Sequence, residues 1–134
     1  MKRSPVILYA EDDPDDRELL REAFNELHKD LKMVETANGR EALLYLRSIK
    51  GIQNPPSLVI LDLNMPILNG RETLAIMKSE NETALIPVVI FTTSSSPLDE
   101  DFCKKFSVEM ITKPSTPEEL KTVAKHLFDF CCRD

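Results

Sequence analysis

Five short strand-like runs alternate with segments of helical periodicity, and this alternation constrains the fold more than any other feature of the chain. A strand followed by a helix, repeated five times, is typical of a parallel sheet, because parallel neighbours need a long crossover that a helix usually supplies. The pattern predicts an α/β fold, namely a doubly wound five-stranded parallel sheet with helices on both faces. The five runs are Val6–Ala10, Lys32–Thr36, Ser57–Asp62, Val88–Phe91 and Val108–Thr112.

Local signals indicate where several helices begin and which faces they bury. A capping residue followed by proline predicts a helix start at Asp13-Pro14, within Ser94–Pro97 and at Thr116-Pro117. In the first helix, apolar residues recur at positions i, i+3, i+4 and i+7, so we expect this stripe to face the core. Its members are Leu20, Ala23, Phe24 and Leu27.

Length, charge and cysteine content exclude several classes of function. The 134 residues suffice for one domain with a buried core, and their net charge of −6 argues against a nucleic-acid-binding surface. The apolar runs are far shorter than the ~20 residues of a membrane helix, and the first strand begins too soon after Met1 for a signal peptide. Three cysteines without a CxxC pair fit a reducing compartment. We therefore expect a cytoplasmic domain with neither a nucleic-acid nor a membrane partner.

Polar residues with distinct chemistry follow four of the predicted strands. The acidic segment 11–13 follows the first run, Asp62 ends the third, Thr92 follows the fourth and Lys113 follows the fifth. In an open parallel sheet, ligands bind outside the carboxyl ends of the strands. These residues, distant in sequence, are therefore predicted to form one site.

The acidic residues predict a metal site next to Asp62. The acid pair is either Glu11 with Asp12 or Asp12 with Asp13, and spacing alone leaves both open. Carboxylates held close together repel by about a few kcal/mol at an effective dielectric near 20. A hard divalent cation removes this repulsion, and Mg²⁺ accepts carboxylates, a carbonyl, waters and a phosphate oxygen. We therefore expect Mg²⁺ as the cofactor.

The hydroxyl of Thr92 and the ammonium of Lys113 are suited to a phosphoryl group. Phosphoryl transfer requires neutralisation of charge on the equatorial oxygens, which a metal, a lysine and a hydroxyl provide together. Asp62 would then be the nucleophile that forms an aspartyl phosphate. Each feature alone also has an explanation that involves no site. Acidic residues at a helix start are favoured by the helix dipole, and a lone Lys-Pro pair such as Lys113-Pro114 usually lies in a loop. Their joint occurrence at successive strand ends favours the site.

These residues resemble the receiver domain of two-component response regulators, and the resemblance covers essentially the whole chain. It implies a flavodoxin-like receiver fold and a central aspartate that takes a phosphoryl group from a histidine kinase. The motifs that carry it are Glu11-Asp12, Asp62–Pro66 with Gly70, Thr92 and Lys113-Pro114.

The resemblance also implies how the metal is held. It favours Glu11-Asp12 as the acid pair, because receiver domains often read Glu-Asp followed by Asn or Asp and then Pro. Asp12 is then a direct ligand of Mg²⁺, and Glu11 acts through a water molecule. Asp62 is both metal ligand and phosphoacceptor, while Asn64 offers its backbone carbonyl.

The resemblance assigns Thr92 and Lys113 to the phosphoryl oxygens, so these two residues assist catalysis by Asp62. Such a protein is a signalling phosphoacceptor and not an enzyme, beyond assisting its own phosphoryl transfer and hydrolysis. The chain departs from the family at Met110, where receiver domains commonly carry Tyr or Phe. Rotation of that aromatic reports phosphorylation, and we expect a smaller or differently routed change here.

Within the family, the chain is most similar to single-domain regulators that serve phytochrome-type histidine kinases. The similarity lies in segments 11–16, 69–72 and 92–94 and in the long loop before Ser57. It implies one receiver domain over residues 1–134, with no output domain, that signals to an unidentified downstream protein through its own surface. Phe130 lies at the edge of the last helix's apolar stripe, where it either completes the core or contributes to a homodimer.

Two other functions share part of this pattern. A phosphatase of the haloacid dehalogenase type also uses a strand-end aspartate and Mg²⁺, but it requires a second acid two residues later, where this chain has Asn64. A degenerate receiver domain could serve purely as a docking scaffold. The complete set of metal and phosphoryl residues argues against that function.

Overall fold

The computed structural model describes residues 5–51 and 55–132, in which five strands alternate with five helices as the sequence predicts. Within these residues, no helix is both long and apolar enough to cross a membrane. The elements in chain order are β1 (Val6–Ala10), α1 (Pro14–Leu27), β2 (Lys32–Thr36), α2 (Gly39–Ser48), β3 (Leu58–Leu61), α3 (Gly70–Ser79), β4 (Val88–Thr92), α4 (Pro97–Lys105), β5 (Glu109–Thr112) and α5 (Pro117–Cys132).

The strands form one parallel sheet in the order β2-β1-β3-β4-β5. The chain extends the sheet to one side of β1 with β2 and to the other side with β3, so the order reverses at β1. A crevice opens at such a switch point, outside the carboxyl ends of the two central strands. Ala10 pairs with Leu61 at these ends, and the backbone N–H of Asp62 donates to the carbonyl of Ala10 at 3.2 Å. The acidic segment after β1 and Asp62 after β3 therefore flank the same crevice.

Apolar side chains from the two faces of the sheet form two cores. Strand β3 is buried along its whole length, which explains its continuous apolar sequence. One core joins the sheet to α2, α3 and α4, and the other joins it to α1 and α5. The prediction of a doubly wound sheet with helices on both faces is thereby confirmed.

The helix caps agree with the sequence, whereas the predicted burial of Leu27 and the bounds of three strands need correction. Asp13 caps α1, Ser96 caps α4, and Thr116 accepts from the backbone of Glu119 at the start of α5. Leu27, predicted to face the core, is 41% exposed because α1 ends there; Leu31, beyond the helix, is buried instead. Strands β3 and β5 are shorter than the predicted runs, because Ser57, Asp62 and Val108 lie outside them, and β4 extends to Thr92. Helix α3 starts at a capping box formed by residues 69 and 72.

Gly70 allows α3 to start against the end of β3. A Cβ atom placed on Gly70 would lie 2.2 Å from the backbone carbonyl oxygen of Asp62, which is far inside van der Waals contact. The backbone N–H of Gly70 also donates to the carbonyl of Leu63 at 3.1 Å. The start of α3 is thus fixed directly on the segment that carries the strand-end aspartate.

Substitution Gly70→Ala should destabilise the protein, although alanine normally stabilises a helix relative to glycine by ~0.5–1 kcal/mol. The added methyl group collides with backbone that cannot move independently, and such overpacking costs about 1–3 kcal/mol. Urea denaturation should show a lower midpoint. As a control, Gly51→Asn should lose less, because Gly51 has φ +74° with nothing near its Cβ position, and asparagine tolerates that backbone conformation. A Gly70→Ala variant as stable as the wild type would contradict this account.

Candidate functional site

The strand ends bring three acidic side chains into one cluster. Carboxylate oxygens of Glu11, Asp12 and Asp62 all lie within 4.8 Å of one another. Glu11 and Asp62 are buried, at 1% and 6% exposure, whereas Asp12 is exposed to solvent. Oxygen ligands in this arrangement suit a hard divalent cation that keeps several of its waters.

The geometry distinguishes between the two possible acid pairs. The side chain of Asp13 accepts from the backbone N–H of Asp15 at 2.9 Å and thereby caps α1. The backbone N–H of Asp13 donates to Oε2 of Glu11 at 3.1 Å, which helps to orient the Glu11 carboxylate. Asp13 therefore acts at the helix start, and Glu11 with Asp12 is the pair that faces Asp62.

Lys113 lies among the carboxylates and binds several of them at once. Its Nζ donates to Oε1 of Glu11, to Oδ2 of Asp16 at 2.8 Å and to Oδ2 of Asp62 at 3.3 Å. Asp16 is a member of the site that the sequence reasoning missed. Asp16 is the third residue of α1 and lies in the first helical turn after β1. That position was the signal available in the sequence.

Burial and charge act in opposite directions on the two central groups. Burial raises the pKa of Glu11 to about 7, although the hydrogen bond from Lys113 lowers it. For Lys113, burial lowers the pKa, but Asp16, Glu11 and Asp62 raise it more, so the net shift is upward. Lys113 is therefore a permanent cation, and one ammonium faces more carboxylates than it can neutralise. The surplus negative charge is what a divalent cation would offset.

Two further residues support Glu11, and the sequence alone did not single out either of them. Arg17, on α1, donates from its guanidinium to the backbone carbonyl of Glu11. It also lies 3.6 Å from Glu35 on β2. The hydroxyl of Tyr9 lies 3.5 Å from Oε1 of Glu11, and burial raises the pKa of this tyrosine far above its usual value. A neutral phenol thus lies beneath the acidic cluster.

Thr92 is fully buried at the carboxyl end of β4, next to Lys113. The backbone N–H of Lys113 donates to the carbonyl of Thr92 at 2.8 Å, so the two residues are neighbours at one end of the sheet. The Thr92 hydroxyl accepts a hydrogen bond from the backbone N–H of Ser94 at 3.3 Å. It is therefore engaged with the loop that leads into α4.

Asn64 and Met110 complete the residues that the sequence analysis singled out. Asn64 is exposed, and its backbone N–H lies 3.4 Å from Oδ1 of Asp62; the predicted role of its carbonyl stays a prediction. Met110 is half-buried on β5, pairs with Ile90, and packs against the core on the side of α2, α3 and α4. A thioether thus occupies the position where the family commonly has an aromatic ring.

Comparison with known proteins agrees with this geometry. Response regulator Rcp1 of Synechocystis sp. (strain ATCC 27184 / PCC 6803 / Kazusa) is 35% identical over 90% of this chain and 82% of Rcp1. The crystal structure of the phosphorylated cyanobacterial phytochrome response regulator RcpA is also similar, with 32% sequence identity to this chain. The match covers 96% of this chain and 94% of that chain, with a TM-score of 0.87. The Mn²⁺-bound form of Rcp1 is 29% identical, covers 94% of this chain and 93% of that chain, and has a TM-score of 0.82.

The family model of the response regulator receiver domain matches residues 7–125, a range that runs from the second residue of β1 into α5. This match agrees with the parallel sheet, the acidic cluster at its switch point and the lysine after β5. The chain belongs to the response regulator receiver domain family and has a phosphoacceptor role in two-component signalling.

Proposed function

We propose that Asp62 is the residue that accepts the phosphoryl group from a histidine kinase. The observation that carries this proposal is the position of its carboxylate, buried after β3 and 3.3 Å from the ammonium of Lys113. An Asp62 oxygen attacks the phosphorus of a phosphohistidine and the P–N bond breaks. The bond's electron pair stays on the imidazole, which takes a proton from water and leaves as neutral histidine. The product is an aspartyl phosphate.

We propose that Asp12 and Asp62 bind Mg²⁺ directly, with Glu11 acting through water and Asn64 contributing its backbone carbonyl. The close carboxylate oxygens and the exposure of Asp12 support this arrangement, because Mg²⁺ prefers oxygen ligands and retains waters. When bound, the cation supplies neutralisation of charge on the transferring phosphoryl group. That Rcp1 is known in a Mn²⁺-bound form agrees with a divalent site.

Lys113 and Thr92 are the groups that we assign to the phosphoryl oxygens. Lys113 already lies beside Asp62, so it needs only to exchange a carboxylate partner for a phosphoryl oxygen. The Thr92 hydroxyl, in contrast, is bonded to the backbone of Ser94. We propose that this hydroxyl turns toward Asp62 to donate to the phosphoryl group, and that its turning changes the loop after β4.

The sensor partner that we propose is a phytochrome-type histidine kinase, supported by the similarity to Rcp1 and RcpA. A cytoplasmic location fits such a partner, as does the free, buried thiol of Cys103; the side chains of Cys131 and Cys132 lie outside the described residues. A single receiver domain over residues 1–134 without an output domain stays a prediction. The same holds for a downstream protein partner.

We also propose that the chain forms a homodimer through α5. Ala124 and Leu127 are buried on the inner face of this helix, whereas Phe130 is 48% exposed, which disfavours a purely structural role for its ring. The other apolar residues of α5 whose side chains are described are buried or half-buried, and aromatic residues are enriched in protein interfaces. In a two-fold dimer, the same ring would be used by both subunits.

Incubation with Mg²⁺ and acetyl phosphate should add the mass of one phosphoryl group, because a small phosphodonor can replace the kinase. Substitution Asp62→Asn should abolish this addition, since an amide oxygen is a poor nucleophile. The matched control Asp15→Asn changes an exposed acid at the start of α1 and should label like the wild type. Intact mass spectrometry measures all three proteins, and unchanged labelling of Asp62→Asn would refute the assignment.

Substitution Lys113→Met should destabilise the metal-free protein by about 3–5 kcal/mol, because it leaves buried carboxylates without their cation. Magnesium chloride should then raise the melting temperature of the variant more than that of the wild type, since the divalent cation replaces the lost charge. The control Lys121→Met removes an exposed lysine whose ion pair with Glu26 contributes little. Equal stabilisation of Lys113→Met and wild type by magnesium would contradict a shared carboxylate site.

Substitution Phe130→Glu should yield a folded monomer, because it places a charge in the proposed interface without entering the core. Light scattering measures the mass, and a melting curve shows whether the fold is intact. The control Thr122→Glu, at an exposed position earlier in α5, should leave the dimer unchanged. A wild-type protein that stays monomeric at high concentration, phosphorylated or not, would end this proposal.

A further inference from the structure

Three side chains form a hydrogen-bonded clamp beside the candidate site, between α3, α4 and the loop after β4. The hydroxyl of Ser94 donates to Oδ2 of Asp99 at 2.6 Å. The guanidinium of Arg71 donates to Oδ1 of Asp99 through Nε at 2.9 Å and also through Nη2. The Ser94–Asp99–Arg71 clamp thus links the β4–α4 loop to the first turns of both helices.

Asp99 is the central residue of the clamp and differs from the acids that follow it. It is 6% exposed, whereas Glu100 and Asp101 are exposed. The Ser94 hydroxyl lowers the pKa of Asp99 against the opposing effect of burial, and Arg71 lowers it further. A buried carboxylate with both oxygens engaged holds its partners firmly, because losing either partner leaves a desolvated oxygen without its hydrogen bond.

The local geometry at the start of α4 shows that this carboxylate is diverted from its usual role. Asp99 is the third residue of a helix capped by Ser96, a position from which an acid commonly accepts from the backbone of the cap. Here the backbone N–H of Ser96 donates to the Ser94 hydroxyl instead, at 3.3 Å. Asp99 is therefore free to bind Ser94 and Arg71, and Ser94 joins the helix cap to the clamp.

The clamp connects to the candidate site through Thr92. The backbone N–H of Ser94 donates to the Thr92 hydroxyl, while the side chain of the same serine donates to Asp99. If the Thr92 hydroxyl turns toward a phosphoryl group, it withdraws the acceptor of the Ser94 N–H. Ser94 then loses one of the three hydrogen bonds described for it, and its side chain is displaced relative to Asp99.

We propose that the Ser94–Asp99–Arg71 clamp holds the loop after β4 in the unphosphorylated arrangement and opens when Thr92 turns, so that α3 and α4 are released together. This inference rests on the proposed role of Asp62 and Thr92. The clamp is a two-state element, since its hydrogen bonds are either made or broken. The clamp would couple phosphorylation of Asp62 to a movement of α4 without any change at Met110.

Opening the clamp costs free energy, and the phosphoryl group must supply it. By linkage, a variant in which the clamp is already broken should bind a phosphoryl mimic more tightly, by the factor that couples the two events. The test is a titration with beryllofluoride and Mg²⁺, followed by NMR shifts, on Ser94→Ala, Asp99→Asn and Arg71→Gln. The matched controls are Ser95→Ala, Asp101→Asn and Arg40→Gln, which change exposed residues of the same types.

The clamp variants should bind the mimic about fivefold more tightly than the wild type, at the lower end of typical coupling factors. Ser94→Ala and Arg71→Gln each remove a partner of the same carboxylate. The affinity gain of the double variant should therefore be smaller than the product of the two single gains. Amide exchange at residues 93–105 should be faster in the unliganded variants and should change less on adding the mimic. The controls should match the wild type in both measurements, and melting curves identify any variant that is unfolded.

Labelling of each variant with acetyl phosphate, read by mass spectrometry, separates this inference from the proposed function. If the wild type is labelled at Asp62 but clamp variants bind the mimic with unchanged or weaker affinity, the clamp is refuted and the function stands. The clamp is likewise refuted, with the function intact, if amide exchange in the clamp variants equals that of the controls. If the wild type is not labelled at Asp62, both the function and the clamp are refuted.

Discussion

The ammonium of Lys113 among the carboxylates is the interaction on which the arrangement of the site depends. It binds Glu11, Asp16 and Asp62, from which it is separated by 102, 97 and 51 residues in sequence. Opposite charges ~4 Å apart attract by about 4 kcal/mol at an effective dielectric near 20, before the cost of removing them from water. A single side chain therefore draws the ends of β1, β3 and β5 and the start of α1 toward one point.

The same interaction leaves the site incomplete. One cation cannot neutralise the carboxylates around it, and burial already raises the pKa of Glu11. The fold tolerates this imbalance because the backbone N–H of Asp13, the guanidinium of Arg17 and the parallel sheet hold the acidic segment in place. Stability and function thus place opposite demands on these residues, since carboxylates that attract a second cation repel one another without it.

The sequence predicted the parts of the structure that depend on local chemistry and on topology. Strand runs, proline-marked helix starts and polar residues at strand ends follow from rules that apply within a few residues, and a parallel sheet brings its strand ends together whatever loops connect them. It did not predict the contacts that side chains of helices make with other elements. Asp16 lies close in sequence to the predicted site, but both Asp16 and Asp99 looked like ordinary acids of a first helical turn. Nothing in the sequence shows which of the neighbouring acids faces Lys113 or Arg71. Leu27 had the right period, but the helix ends there, and helix ends are poorly defined by period alone.

The connection between Arg71 and Ser94 shows how a contact changes the meaning of sequence motifs. Segments 69–72 and 92–94 carry the resemblance to phytochrome-associated regulators, and nothing in the sequence connects them. In the structure they are joined through Asp99, so a change in one alters the constraint on the other. A receiver domain with an aromatic in place of Met110 can report the position of Thr92 by moving a ring. Here the half-buried thioether offers neither a hydroxyl nor a rigid ring, and the hydrogen bonds of Ser94 supply the directional link that such a residue lacks.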